Sequence, residues 1–391
     1  MSTDHDFPWD IGIHDAHCHP TDTMASIDSI PNMKTRSLTV MATRGEDQDL
    51  VQQITQTINN QQEPSKVSDR VVPCFGWHPW FSHQVLDDTA TTADLDLQDT
   101  SMKEAHYINV LTPSPGEDTE FLECLPNPKP LSQLIAETRE RLELFPYSLV
   151  GEIGLDKSFR LPGAWTREEL ENRDDQITPG SRENRRLSPY KVKLEHQKTV
   201  LKAQLQLAGE MQRAVSIHSV QAHGAVFDTL KGLWVGHEKV LPSRREREKR
   251  RDAVGALSED EDGEDCASPN PTSGVSLKGP ALAFPPRICM HSYSGPVEPL
   301  RQFLNKTNPS DVYFSFSYVI NFSGPGARKV IDVVKMLPDE RILVESDLHT
   351  AGPQMDDLLE QVTRQICEIR GWELRKGAQQ LADNWKRFVF G

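Results

Sequence analysis

The stretch Asp15-Ala16-His17-Cys18-His19 follows a short apolar run, Ile11-Gly12-Ile13. In a β-strand side chains alternate across the backbone, so His17 and His19 would share a face. Two imidazoles placed that way can chelate one cation. An HxH pattern is short, however, and a polar loop that holds two histidines is nearly as good a reading of it alone. The stretch gains weight because later segments repeat its form, an apolar run that closes on a His, Glu or Asp.

Eight runs rich in β-formers can be traced, at 11–15, 38–42, 71–75, 148–153, 214–218, 287–291, 312–317 and 342–345. Most lack strict polar alternation, as expected of strands buried on both faces of a parallel sheet. Helical spacing fills the gaps between them. Leu50, Val51, Ile54 and Ile58 recur at three to four residues, and a second stripe runs over 194–213. Further helices are expected at 326–336, 355–370 and 376–388. Alternating strands and helices imply a (β/α)8 barrel or a doubly wound sheet. The barrel is preferred because candidate ligands end the first, fourth, fifth, sixth and eighth strands. A TIM-type barrel gathers all strand ends on one face, whereas an open sheet strings them along an edge.

Three stretches fit neither element and read as long insertions in one barrel domain, at about 83–131, 157–190 and 242–280. The first looks like a surface loop and the second is dense in charge. The third runs from a basic block (Arg244 to Arg251) to an acidic one (Ser258 to Asp265) and a Ser/Pro/Gly tail. Such composition cannot bury enough apolar surface to offset its ordering entropy, so disorder is expected there. A nuclear-import signal in the basic block or phosphorylation at Ser258 is less favoured than a plain solvated charge run. The insertions are expected to emerge at the barrel's mouth or rim.

The net charge of −15 argues against a large surface that wraps duplex DNA by phosphate neutralisation. It leaves phosphodiester chemistry open, since bound cations would invert the sign at a site. No run is long and apolar enough to span a bilayer, and the first residues have no leader pattern. The six cysteines form no CxxC pair, so reduced thiols in a cytoplasmic or nuclear protein are expected.

The strand-end groups carry the chemistry. His17 and His19 belong to the first strand and Glu152 to the fourth, within Val150-Gly151-Glu152-Ile153-Gly154-Leu155-Asp156. His218 closes the fifth, His291 the sixth, and Asp347 follows the eighth. Taken singly, a strand-terminal histidine is more often a hydrogen-bonded core residue than a ligand. Four imidazoles and two carboxylates exceed the needs of one tetrahedral ion, so two divalent ions bridged by a carboxylate are the natural arrangement. One division gives His17, His19 and Asp347 to one ion and His218 and His291 to the other, with Glu152 bridging. Zn, Mn and Mg all suit mixed His/carboxylate ligands.

These residues resemble the TatD family of metal-dependent hydrolases. The likeness rests on Asp15-Ala16-His17-Cys18-His19, Gly76-Trp77-His78-Pro79, Gly151-Glu152-Ile153-Gly154-Leu155-Asp156, Ile217-His218, His291-Ser292-Tyr293-Ser294-Gly295, Glu345-Ser346-Asp347 and Leu381-Ala382-Asp383-Asn384. It implies a TIM-type barrel, divalent metals and phosphoester hydrolysis assayed as DNase activity. It also implies catalytic roles for Glu152 and Asp347, puts His78 beside the site against a phosphate, and gives Asp156 a supporting task. Two departures stand out: the aspartate usual soon after the HxH is displaced to Asp22, and Leu348-His349-Thr350 replaces the usual proline and aromatic. A fungal-type branch with similar insertions is associated with the anaphase-promoting complex, which implies a protein partner.

The leading expectation is a two-metal phosphodiesterase, a nuclease acting on DNA ends or short strands, with Lys157, Arg160 and Lys193 supplying local positive charge. The alternative is an interaction protein on a retired barrel, contacting a cell-cycle complex through 242–280. It ranks lower because no ligand has been lost. An amidohydrolase acting on small amides would commonly bridge its metals with a carboxylated lysine, and Glu152 stands in that position instead.

Overall fold

The computed structural model describes residues 6–60, 69–89, 99–241 and 281–391. The expected disordered insertion at 242–280, with both charge blocks, lies outside the described residues.

Eight parallel strands pair in sequence order: β1 (His14–Cys18), β2 (Ser37–Met41), β3 (Val71–Phe75), β4 (Leu149–Asp156), β5 (Val215–Val220), β6 (Arg287–Met290), β7 (Asp311–Phe316) and β8 (Ile342–Val344). Nearly every residue in them is buried, as the lack of alternation implied. The chain just beyond β8 joins the sheet's two edges. Asp347 N donates to His17 O at 3.0 Å, His19 N to Leu348 O at 2.8 Å, and Ser346 N to the Asp15 carboxylate at 3.0 Å. The sheet is thereby nearly closed as a barrel, as expected.

Helices α1 (Gly45–Asn60), α2 (Leu131–Leu144), α3 (Leu194–Glu210), α4 (His223–Trp234), α5 (Val297–Phe303), α6 (Ala327–Met336) and α7 (Pro353–Arg370) connect the strands, and α8 (Leu374–Phe390) ends the chain. Only the β1–β2 connection lacks an α-helix. It runs through 3-10 turns at Pro20–Asp22 and Met24–Asn32, where Pro31, inside the second, disfavours an α-helical ladder. Two apolar layers result. The outer one packs helices onto strands. The inner one fills the barrel with Ala16, Met41, Val72, Cys74, Leu149, Cys289, Tyr313 and Leu343, and α8 stops its lower end with Trp385, Phe388 and Val389.

Three expectations need correction. The first strand is not 11–15. Trp9–Ile11 form a 3-10 turn, ended by Gly12 at φ +87°, and β1 starts only at His14. A non-glycine residue at position 12 would be strained at that φ.

The 83–131 insertion is not simply loop. Helices Thr100–Val110 and Thr119–Cys124, capped by Asp99 and Asp118, bury Tyr107, Val110, Phe121 and Leu122 against Leu161 and Tyr190 of the next insertion. Their few apolar residues complete a core only jointly, so neither shows a clear period in the sequence.

Third, the 242–280 segment joins α4 to β6. The described residues that flank it, up to Leu241 and from Ala281, lie at the end of the barrel where strands begin: Leu282 N donates to Gly209 O at the end of α3, at 3.2 Å. The 157–190 insertion, by contrast, is bound to the mouth. Thr178 N donates to Asp22 O at 3.0 Å, and Arg44 Nε to Pro179 O at 2.8 Å.

Candidate metal centre

Two β-bulges aim the ligand types. In β1 the pairing with β2 shifts register between Asp15 and Cys18. Ala16 packs into the barrel interior, and His17, its immediate neighbour, also faces inward, with its Nε2 3.4 Å from Glu152 Oε2. Strict alternation would have turned His17 away. β4 has the same device between Val150 and Ile153, where Leu149 and Glu152 both face inward at an odd spacing. An extra residue reverses the phase of a strand, which is how bulges re-aim side chains at sites. The close pass of β4 against β5 requires Gly154, where a Cβ would stand 2.0 Å from His218 O.

The six strand-end residues converge, and His78 joins them. Glu152 is buried at the centre. Its oxygens lie 3.4 Å from His17 and His19 Nε2, 3.1 Å from His78 Nε2, 2.8 Å from His218 Nδ1 and 2.9 Å from His291 Nε2. Asp347 Oδ1 lies 3.5 Å from His19 Nε2 and 3.9 Å from His17 Nε2.

Three overlapping groups could hold a cation: His17, His19 and Asp347; His17, Glu152 and His291; and His78, Glu152 and His218. The geometry thus pairs His291 with His17 within a group, and sets His78 with His218. Tetrahedral ligands about 2.05 Å from an ion stand about 3.3 Å apart, and the separations above bracket that value. The Nε2 atoms of His17 and His19 face each other at 3.1 Å. One proton at most can lie between them, whereas a shared cation satisfies both lone pairs. The donor set fits a divalent metal.

The surrounding residues fix these rings. His17 Nδ1 meets Ser216 Oγ at 2.8 Å, and His218 Nε2 lies 3.2 Å from Asp156 Oδ2. Asp156 also accepts from Trp80 Nε1 at 2.7 Å and from Phe159 N at 2.9 Å, so one carboxylate ties a ligand to the root of the 157–190 insertion. Asp15, buried in the barrel seam, accepts from Ser346 Oγ at 2.5 Å. Burial outweighs these bonds and raises its pKa to about 7.

Charge around Glu152 is strongly polarised. Burial alone would raise its pKa, but the imidazoles of His78, His291 and His17 outweigh that and hold the carboxyl well below the usual range. Burial would likewise lower His19, His218 and His291. Contacts with Asp347 and Glu152 bring His19 up to about 9 instead. Asp156 and Glu152 raise His218, and Glu152 and Glu345 raise His291 well above the ordinary value. At His78 burial wins, and its pKa falls to about 4.

The cluster floors a cleft of about 1090 Å³. Lys157, Arg160 and Lys193, expected to supply positive charge, do not line it; Arg44, Arg173, Arg182 and Arg185 do. The insertion lines the cleft first with the apolar residues Phe159, Leu161 and Pro162 and then curls back over the mouth, where Arg173, Arg182 and Arg185 reach the cleft. Sequence reading also missed the aromatic wall, where Trp80 stacks on Phe159 at 4.4 Å and Arg185 lies over Trp165 at 4.6 Å. The signal available was Trp80, two residues beyond His78. The displaced Asp22 accepts from Arg44 Nη2 at 2.8 Å and pairs with His349 Nδ1 at 2.7 Å, so both departures from the family pattern meet at the lip.

A nearly closed parallel barrel with a His/carboxylate cluster at its mouth has the architecture of the metal-dependent hydrolases. Residues 14–390 match the model of the TatD related DNase family, and the chain belongs to that family. It is 36% identical to the Cut9-interacting protein scn1 of Schizosaccharomyces pombe, covering 96% of this chain and 98% of that one. It is 29% identical to an uncharacterized deoxyribonuclease of Saccharomyces cerevisiae, covering 81% and 80%. In fold it is similar to an uncharacterized amidohydrolase of Saccharomyces cerevisiae (TM-score 0.53, 12% identity, 96% and 99% covered). A TatD homologue of Escherichia coli is also similar (TM-score 0.50, 17% identity, 96% and 97% covered). Among the described residues no helix is long and apolar enough to cross a membrane.

Proposed function

We propose that the chain is a metal-dependent phosphodiester hydrolase, a deoxyribonuclease acting on DNA ends or short strands with two divalent ions. The observation that carries this reading is the set of three ligand groups sharing His17 and Glu152. Groups that share members suit adjacent ions better than separate ones. His17, His19 and Asp347 would hold one ion, His78 or His291 with His218 the other, and Glu152 both. Such ions supply Lewis-acid clamping of phosphoryl oxygens and hydroxide at neutral pH.

The chain's own groups do the rest. Ser216 and Asp156 fix the rings of His17 and His218. The Trp80–Phe159 wall and the cleft arginines offer stacking surface and positive charge to a nucleotide chain, in a protein otherwise too acidic to attract one. The test is metal content by mass spectrometry together with hydrolysis of a generic phosphodiester. The reading expects about two ions per chain and activity lost on chelation. It fails if His17→Ala with His19→Ala leaves phosphodiesterase activity unchanged.

One observation favours a second role. A relative 36% identical over nearly the full length is named for its interaction with Cut9. That role would be a protein partner held through 242–280, in the cytoplasm or nucleus. Deleting that segment should then abolish partner binding while hydrolysis persists.

A further inference from the structure

A second cavity, of about 750 Å³, opens at the end of the barrel opposite the imidazole cluster. His14 begins β1 there, Arg36 and Arg70 immediately precede β2 and β3, and Lys386 and Arg387 come from the last turns of α8. With Lys34, five formally cationic side chains line it against one side-chain carboxylate, Asp10, and the α-carboxyl group of Gly391. Asp10 already accepts from Arg375 Nη1 and Nη2, at 3.0 and 2.5 Å. The guanidinium of Arg70 donates to the carbonyls of Ile30, Met33, Thr35 and Arg36, so it contributes charge rather than open donors. In a chain of net charge −15, this is a local reversal of sign.

The second observation is His14. It is 4% exposed, its ring lies flat on Trp385 at 3.9 Å, and its Nδ1 has no hydrogen-bond partner. A buried ring nitrogen left unmet is destabilising, so a ligand that meets it gains. Burial, and then the charges of Lys386 and Arg36, push the imidazole pKa down to about 3, which reports a positive field at the cavity wall.

We propose that this cavity binds a phosphate group carried on an organic body. A cluster of cations calls for a multiply charged anion, and a phosphate group spreads its charge over several oxygens that ammonium and guanidinium groups can meet from different sides. The volume falls in the range of small-ligand sites, about 300–1,000 Å³, and exceeds what bare phosphate fills. Trp9, Ile11 and Phe390 give the rest of the ligand an apolar wall. A free phosphomonoester and a phosphorylated side chain of a partner present the same chemistry to these residues. The site is independent of the hydrolase reading.

The test uses the full chain, chelator-treated, with a nucleoside monophosphate, a phosphoserine peptide and the same peptide carrying glutamate instead, by titration calorimetry. One or both phosphorylated probes should bind. Lys34→Glu with Lys386→Glu and Arg387→Glu, all at exposed positions, should weaken that binding about tenfold or more. His17→Ala with His19→Ala should leave it unchanged. Tighter binding of the nucleotide identifies a free small molecule, and of the peptide a partner. The proposal is overturned if neither phosphorylated probe binds or if the glutamate peptide binds as well. It is also overturned if binding falls with the histidine variant and not with the charge reversal. Should the triple variant not fold, Lys386→Glu alone is read by the same criteria, with a smaller loss expected.

Discussion

Glu152→Gln removes the one negative charge that five imidazoles face at 2.8–3.4 Å while keeping the side chain's shape. In metal-free protein its effect should depend on pH. His19 has a folded-state pKa of about 9 against 6.5, because contacts with Asp347 and Glu152 overcome the effect of burial. A raised imidazole stabilises the fold fully below its unfolded pKa and loses that contribution as pH rises through the folded value. The rise at His19 corresponds to about 3 kcal/mol, shared among Asp347, Glu152 and Asp22. His218 and His291 are raised in the same direction with Glu152 contributing. The variant should therefore be roughly 2–4 kcal/mol less stable at pH 6. The gap should narrow as pH climbs from 6.5 through about 9. Metal affinity should fall by about 100-fold or more, beyond the roughly 10–100-fold cost of losing a partner behind a ligand, because Glu152 would itself be a ligand. Urea unfolding of chelator-treated protein at pH 6 and pH 9 reads the first effect, and competition with a metal-binding dye the second. Equal stability at both pH values and unchanged metal affinity would refute a carboxylate at the centre of the cluster.

Metal entry near pH 7 should release about one or two protons, because carboxylates hold His19 at a pKa of about 9 and His291 well above the ordinary value; calorimetry in two buffers of different ionisation heat measures this, and no release counts against it. Gly154→Ala sets a Cβ 2.0 Å from His218 O, so it should cost about 3 kcal/mol or more and lower metal content together; an unchanged urea midpoint contradicts the tight β4–β5 approach. Trp385→Ala removes the largest fully buried side chain, from the barrel's lower stop, and should cost about 3–5 kcal/mol by denaturant titration. Arg44→Met leaves the carboxylates of Asp22 and Asp47 without their guanidinium, a loss of about 3–5 kcal/mol, and frees Pro179 O. Limited proteolysis within 157–190 should then accelerate, and an unaltered pattern would show that Arg44 does not hold the insertion.

The barrel was legible because parallel strands buried on both faces read as continuous apolar runs, and five of those runs lead into a His, Glu or Asp. The helices were legible for a related reason: α1, α3, α6, α7 and α8 each bury one stripe, and the stripe has a period. What could not be read is what depends on cooperation between distant segments. The small core of Tyr107, Phe121, Leu161 and Tyr190 draws on two insertions, so no single window contains its pattern. The cleft arginines were misplaced because charge says nothing of which way a loop curls, and only the bonds from Thr178 and Arg44 to the mouth decide that Arg182 and Arg185 face the cluster.

The HxH argument itself shows how a sequence rule and a structure can agree for different reasons. Alternation puts His17 and His19 on one face, and both imidazoles do reach Glu152. Alternation over the whole of β1 would also put His17 on the face opposite Ala16, yet both face inward. The bulge between Asp15 and Cys18 resolves this. Below it, His14 and Ala16 face the interior, where His14 meets Trp385 of the lower stop; above it, His17 and His19 face the mouth. One strand thus serves a packed core at one end and a ligand cluster at the other, and the change of phase is the price of using both. β4 makes the same change between Leu149 and Glu152. A register shift leaves no mark on composition or period, so the residues that chemistry needs could be named from the sequence while the device that aims them could not.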